Sequence, residues 1–218
     1  MKNKQYIIFD LDGTLSDPGE GIVGSLAHAL KQFGIEGDPE VLKKFIGPPL
    51  VDSFQKYFGF DEEKTAEAIR LYRAHFHDHG LFRNEIYPGI PELLEELTKA
   101  GKTLAVATTK PEVYAWQILE YFEIDTFFQR ELVVGSYLDG RRTNKGELIT
   151  VVRERLNDDP QKMVMIGDRK FDMIGAKNNG IDSIGVTYGY GEREELEACS
   201  PTAIVDSVVE LRKLLLGQ

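Results

Sequence analysis

Cysteine is nearly absent from the chain. Cys199 stands alone among 218 residues, so no internal disulfide can form, and a reducing, cytoplasmic setting is the expectation. Basic charge is also scarce: 26 Lys and Arg face 36 Asp and Glu, a formal net charge of −10. A nucleic-acid polymer is thereby excluded as the expected partner, because binding one needs a basic face. A small phosphorylated metabolite is not excluded, since one or two well-placed cations suffice to hold it. Long apolar runs are missing as well. Nothing approaches the roughly 20 apolar residues that span a bilayer. The run nearest the N-terminus, Tyr6-Ile7-Ile8-Phe9, is far shorter than the core of a signal peptide and is closed by Asp10. The sequence therefore carries no expectation of a membrane partner, and leaves monomer and homodimer equally open.

What is present is a series of short, nearly unbroken apolar segments: Tyr6–Phe9, Thr103–Ala107, Leu132–Val134, Met163–Ile166 and Ser183–Thr187. Runs this short and apolar on both faces predict strands of a parallel sheet covered by helices on both sides. Helical patterning lies between and after them, over Pro91–Ala100, Pro111–Phe122, Lys145–Leu156, Asp172–Asn178 and Val208–Leu216, with Asn179-Gly180 as a helix stop. Alternating strand and helix predicts an α/β, doubly wound, Rossmann-like core. One region breaks the alternation. From about Glu20 to His79 the periodicity is helical throughout, with candidates Ile22–Phe33, Pro39–Phe45, Leu50–Phe58 and Glu62–His77. The expected organisation is a core of residues 1–15 and 86–218, with a small all-helical domain, residues 16–85, inserted after the first strand.

The chemistry-bearing residues sit at predicted strand ends. Asp10 and Asp12 follow the first strand, Thr108-Thr109 the second, and Gly167-Asp168 the fourth, with Asp172 one helical turn beyond Asp168. In doubly wound folds, ligands bind at the carboxyl ends of the strands. Asp10, Asp168 and Asp172 gathered there would raise one another's pKa values. A hard divalent cation with oxygen ligands, such as Mg²⁺, relieves that repulsion. Lys145 opens the helix that precedes the Met163 strand and is a candidate for the same edge.

Asp10-Leu11-Asp12-Gly13-Thr14, Thr108, Lys145 and Gly167-Asp168 with Asp172 together resemble the four signature motifs of the haloacid dehalogenase superfamily, in order and over the whole chain. Ile46-Gly47-Pro48-Pro49-Leu50, the stretch from Val106 to Pro111 and the stretch from Met165 to Asp172 are similar to phosphoglycolate-phosphatase-like members with a helical cap. The resemblance implies an aspartyl-phosphate formed on Asp10, with Asp12 as general acid and base. It implies Mg²⁺ held by Asp10 and Asp168 and by the backbone carbonyl of Asp12, with Asp172 as a water-mediated ligand or an anchor behind the metal. It further implies phosphoryl contacts from Gly13, Thr14, Thr108, Thr109 and Lys145, and a cap turn at Gly47 and Pro48 reaching the leaving group. Phosphoglycolate-type monoesters are the expected substrates. A 5′-nucleotidase is the alternative, and a phosphomutase resembling β-phosphoglucomutase or a binding protein follows behind. His75 and His79, four residues apart, could share a helical face and bind a metal but read rather as a solvated helix end, and Tyr188-Gly189-Tyr190-Gly191 as a loop at the sheet edge.

Overall fold

The computed structural model describes residues 1–217. In chain order its elements begin with β1 (Tyr6–Phe9), β2 (Ser16–Asp17), α1 (Gly19–Lys31), α2 (Pro39–Lys43), α3 (Leu50–Phe58) and α4 (Glu62–His75), which runs into a π-helical turn, Phe76–Gly80. They continue through β3 (Glu85–Ile86), α5 (Ile90–Lys99), β4 (Thr103–Pro111), α6 (Glu112–Tyr121), β5 (Phe128–Ser136), α7 (Lys145–Leu156), β6 (Met163–Gly167) and α8 (Lys170–Asn178). The last are β7 (Asp182–Val186), α9 (Arg193–Glu197), β8 (Ala203–Val205) and α10 (Val208–Leu216).

The chain divides into two compact units, one built from Met1–Ser16 with the chain from Ile86 onward, the other from Asp17–Glu85. Ser16 joins the first unit, one residue past the expected boundary. The physical reason is local: its amide donates to the Leu11 carbonyl (3.1 Å) and its carbonyl accepts from Gly13 (2.8 Å), closing the turn after β1. The connecting strands β2 and β3 pair as a two-stranded ribbon.

The first unit is a six-stranded parallel sheet in the order β5-β4-β1-β6-β7-β8. The chain winds outward from β1 through β4 to β5, then restarts beside β1 at β6 and winds the other way. The reversal makes β1 and its neighbours a topological switch point, the crevice at which doubly wound sheets bind ligands. Side chains alternate faces along each strand. Ile8, Ala105, Ala107, Met163 and Met165 are buried with Leu148, Ile149 and Val152 of α7 and Ala176 of α8. Burying one such aliphatic side chain stabilises the fold by about 1.5–3 kcal/mol.

Two strands differ from expectation for the same reason. The apolar run of the second predicted strand stops at Ala107, but β4 continues through Thr108 and Thr109 to Pro111, which pairs with Ser136 after a shift in register. β5 extends back to Phe128 through the exposed Gln129, Arg130 and Glu131, which an edge strand tolerates. Apolar pattern marks the buried stretch of a strand, whereas backbone pairing sets its full length. The short β8 and α9 carry too few apolar residues to show a period.

The second unit is helical, as its periodicity predicts. Its core holds Leu26, Leu30 and Leu42 with an aromatic cluster in which Phe54 stacks on Phe60 (5.8 Å) and meets Phe45 edge-on (5.1 Å). The predicted helix Glu62–His77 ends at His75, where the winding widens into the π turn.

Candidate active site

β1 is held centrally, its Phe9 in register with Val106 of β4 and Ile166 of β6. The next residue, Asp10, still donates its amide to the Ile166 carbonyl (2.8 Å), so its carboxylate is fixed at the switch point although the ladder has ended. The turn beyond needs glycine at position 13. Gly13 has φ +81°, and a Cβ there would lie 2.2 Å from an Asp168 carboxylate oxygen. That approach keeps the Asp10–Thr14 turn against β6.

Three carboxylates converge. Asp10, Asp168 and Asp172 are buried, and each offers an oxygen within 4.8 Å of the others, a group able to hold a metal ion. Asp172 lies in the first turn of α8, where one oxygen accepts the Arg169 amide (3.1 Å) and caps the helix. Its other oxygen pairs with the Lys145 ammonium at 2.8 Å. Lys145 also reaches Asp10 (2.8 Å) and donates to the Ala107 carbonyl (2.9 Å). A cation at the first position of α7 opposes the helix dipole, so its placement answers to the two aspartates rather than to the helix. Burial works to lower the Lys145 pKa, but Asp10 and then Asp172 outweigh it and hold the ammonium above its ordinary range.

The acids respond in the opposite sense. Burial, reinforced by Asp172 and Asp10, pushes Asp168 well above the ordinary carboxylate value. Burial likewise raises Asp172, to about 6, against the pull of Lys145. Asp168 leaves one oxygen buried without a hydrogen-bond partner, while the other accepts the Tyr190 amide at 2.8 Å. A buried, partnerless carboxylate oxygen facing two further carboxylates is a donor set suited to a hard cation.

Asp12 lies apart from that cluster. Its carboxylate pairs with Lys110 (2.9 Å), both side chains largely buried, and its other oxygen has no partner. Burial raises the Asp12 pKa while Lys110 opposes the rise. Of the expected phosphate contacts, Thr108 is buried on β4, its hydroxyl accepting the Lys110 amide (3.3 Å). Thr14 is buried with a partnerless hydroxyl. Thr109 offers its carbonyl to Ser136 (2.8 Å). Gly47 and Pro48 lie in the helical unit, in the bend before α3.

Two features escaped the sequence reading. Lys110 follows two threonines in what reads as the end of a strand, and only the continuation of β4 turns it toward Asp12. The Tyr188–Gly191 loop follows β7, a strand paired on both sides rather than at the sheet edge, and it clasps the site. The Tyr190 amide holds Asp168, and the Tyr188 hydroxyl donates to the Thr14 carbonyl (3.0 Å). A Cβ at Gly191 would lie 1.8 Å from the Asp168 carbonyl. The paired glycines were the available signal, since they permit close backbone approach.

The haloacid dehalogenase-like hydrolase family description matches residues 7–186. A 5′-nucleotidase of Pseudomonas aeruginosa is 46% identical over 210 residues, 96% of this chain and 94% of its own length. A phosphoglycolate phosphatase of Vibrio vulnificus is 31% identical, over 97% of this chain and 96% of its own. The crystal structure of a predicted phosphatase from Clostridium acetobutylicum superposes with a TM-score of 0.93 at 46% identity, covering 99% of both chains. With the sheet order, the switch-point carboxylates and these likenesses together, the chain belongs to the haloacid dehalogenase-like hydrolases and is an enzyme of that family.

Proposed function

We propose that this enzyme is a Mg²⁺-dependent phosphatase that removes the phosphate of a nucleoside 5′-monophosphate or a similarly sized monoester through an aspartyl-phosphate on Asp10. The observation that carries the chemistry is the meeting of Asp10, Asp168 and Asp172 around the Lys145 ammonium at one sheet edge. The preference for a nucleotide over phosphoglycolate rests on the greater likeness to the 5′-nucleotidase, 46% against 31%.

Asp10 and Asp168 would hold Mg²⁺ with the Asp12 carbonyl, and Asp172, engaged by Lys145 and the Arg169 amide, would anchor that set from behind. The bound ion supplies charge neutralisation between the anionic phosphoryl group and the anionic nucleophile. An Asp10 oxygen forms a bond to phosphorus as the bond to the leaving oxygen breaks, and Asp12 gives its proton to that oxygen. Water then attacks phosphorus, Asp12 recovers a proton from it, and the bond between Asp10 and phosphorus breaks to release phosphate. Burial that raises Asp12 and a lysine that restrains the rise poise the group for both duties. Lys145, and the Thr108 and Thr14 hydroxyls, are positioned residues of the phosphoryl pocket, where stabilisation of charge is the main source of rate. Thr109 and Gly13 shape its walls.

Phosphate release with Mg²⁺ is measured across nucleoside monophosphates, phosphoglycolate and sugar phosphates, alongside Asp10→Asn. Nucleotide turnover reduced about ten-thousand-fold or more in the variant is the expected result. Retention of about a tenth of activity removes Asp10 as nucleophile. A preference for phosphoglycolate overturns the nucleotide assignment and leaves the mechanism standing.

A further inference from the structure

All four histidines of the chain lie in the helical unit. Three make a row. His28 of α1 stacks on His75 of α4 with ring centroids 4.2 Å apart, and His75 adjoins His79 of the π turn at 4.9 Å. Residues four apart lie on the same helical face, which sets His79 beside His75. Gly80 lets that turn approach α1, since a Cβ there would meet the Ser25 hydroxyl at 2.7 Å and the Gly21 carbonyl at 2.8 Å. The fourth histidine, His77, turns instead to Asp78 (2.8 Å).

The protonation of the middle ring follows from its neighbour. Ser25 is fully buried and its hydroxyl donates to the Gly21 carbonyl at 2.7 Å. Ser25 has one proton to give, so at 3.0 Å from His75 Nδ1 it acts as acceptor. His75 therefore carries its hydrogen on Nδ1 and its lone pair on Nε2. A metal-binding histidine is oriented in this way, the second ring nitrogen donating to a fixed partner behind it.

We propose that His28, His75 and His79 form a binding site for a borderline-soft divalent transition ion of the Zn²⁺ class, which staples α1 to the end of α4. Imidazole suits such ions and serves Mg²⁺ poorly, so the site is chemically separate from the carboxylate cluster. A Zn–N bond of about 2.0–2.1 Å places ligating nitrogens about 3.3 Å apart in a tetrahedral shell. The exposed His28 and His79 would have to rotate to reach that spacing, while Ser25 keeps His75 in place. Burial, with His28 and His79 alongside, holds His75 below the ordinary histidine range, favouring the neutral, ligating form.

The test titrates Zn²⁺ into the full chain in millimolar Mg²⁺, by calorimetry and by NMR of the histidine rings. One equivalent is expected to bind, to shift the His28, His75 and His79 resonances while sparing His77, and to raise the melting temperature. His28→Gln and His79→Gln, both at exposed positions, each weaken binding about tenfold or more, and Ser25→Ala does so about tenfold. Asp168→Asn leaves the affinity unchanged. Zinc that moves none of the three resonances overturns the assignment, as does binding that survives His28→Gln and His79→Gln but disappears with Asp168→Asn.

Discussion

Replacing Asp168 with asparagine exposes how the carboxylate cluster is balanced. Asp10, Asp168 and Asp172 present oxygens within 4.8 Å of one another. At an effective dielectric constant near 20, each charged pair at that separation repels by about 3.5 kcal/mol, so the Asp168 charge meets about 7 kcal/mol from its two neighbours. Relief is always available by binding one proton, which at pH 8 costs about 1.36 kcal/mol for each of roughly four pH units above the ordinary carboxylate value. The two routes cap the gain from the amide at about 6 kcal/mol. Relaxation and water entry bring the expected figure to about 2 kcal/mol, or roughly 4–8 °C in melting temperature for a chain of this size. The new side-chain amide keeps an acceptor for the Tyr190 N–H and gains an N–H for the flanking carboxylates, so geometry is conserved.

The pH dependence has a definite sign. Asp168 and Asp172 have raised pKa values in the folded state. Their contribution is therefore most favourable at low pH, and stability falls as pH rises from the ordinary carboxylate value through the raised ones. His75, lowered by burial, acts oppositely between pH 5 and 8, but it is common to both proteins and cancels in their difference. Thermal melts in chelator at pH 5 and pH 8, and again in Mg²⁺, provide the assay. The variant is expected to be more stable than the parent at pH 8 without metal, nearly equal at pH 5, and unresponsive to Mg²⁺. A variant less stable than the parent at pH 8 in chelator refutes the electrostatic reasoning, and one stabilised by Mg²⁺ as strongly as the parent removes Asp168 as a ligand.

Lys145→Met leaves Asp10 and Asp172 facing each other without their shared cation. A loss of about 3–5 kcal/mol is expected in urea denaturation at neutral pH, and partial recovery at pH 5, below the raised value of Asp172, distinguishes lost charge from lost packing. Lys110→Met removes the group that restrains the raised Asp12 pKa. The alkaline limb of the kcat/KM profile, which reports Asp12 losing its donatable proton, should move up by at least about one pH unit. An unmoved limb with lowered kcat would instead make Lys110 a phosphate contact.

Much of this enzyme was legible in one dimension. Unbroken apolar tetrads such as Tyr6–Phe9 are best satisfied in a buried parallel strand; Asp10 and Thr108 directly follow such runs, and Asp168 follows one after Gly167. Strand direction then carries them to one edge whatever the details. The helical insert was legible because a 3.6-residue period persists from α1 to α4 with no two-residue alternation. Lys110, the clasp of the Tyr188–Gly191 loop and the joining of His28 to His75 and His79 were not legible. Each depends on a contact between segments distant in the chain: on β4 pairing past its apolar stretch, on Gly191 meeting Asp168, and on α1 passing the π turn at Ser25. Pattern along the chain is enough to say which residues must be buried and which strand ends carry acid. Which charges meet is settled in the folded chain, because Coulombic and hydrogen-bond energies depend on distances of a few ångströms that no linear pattern encodes.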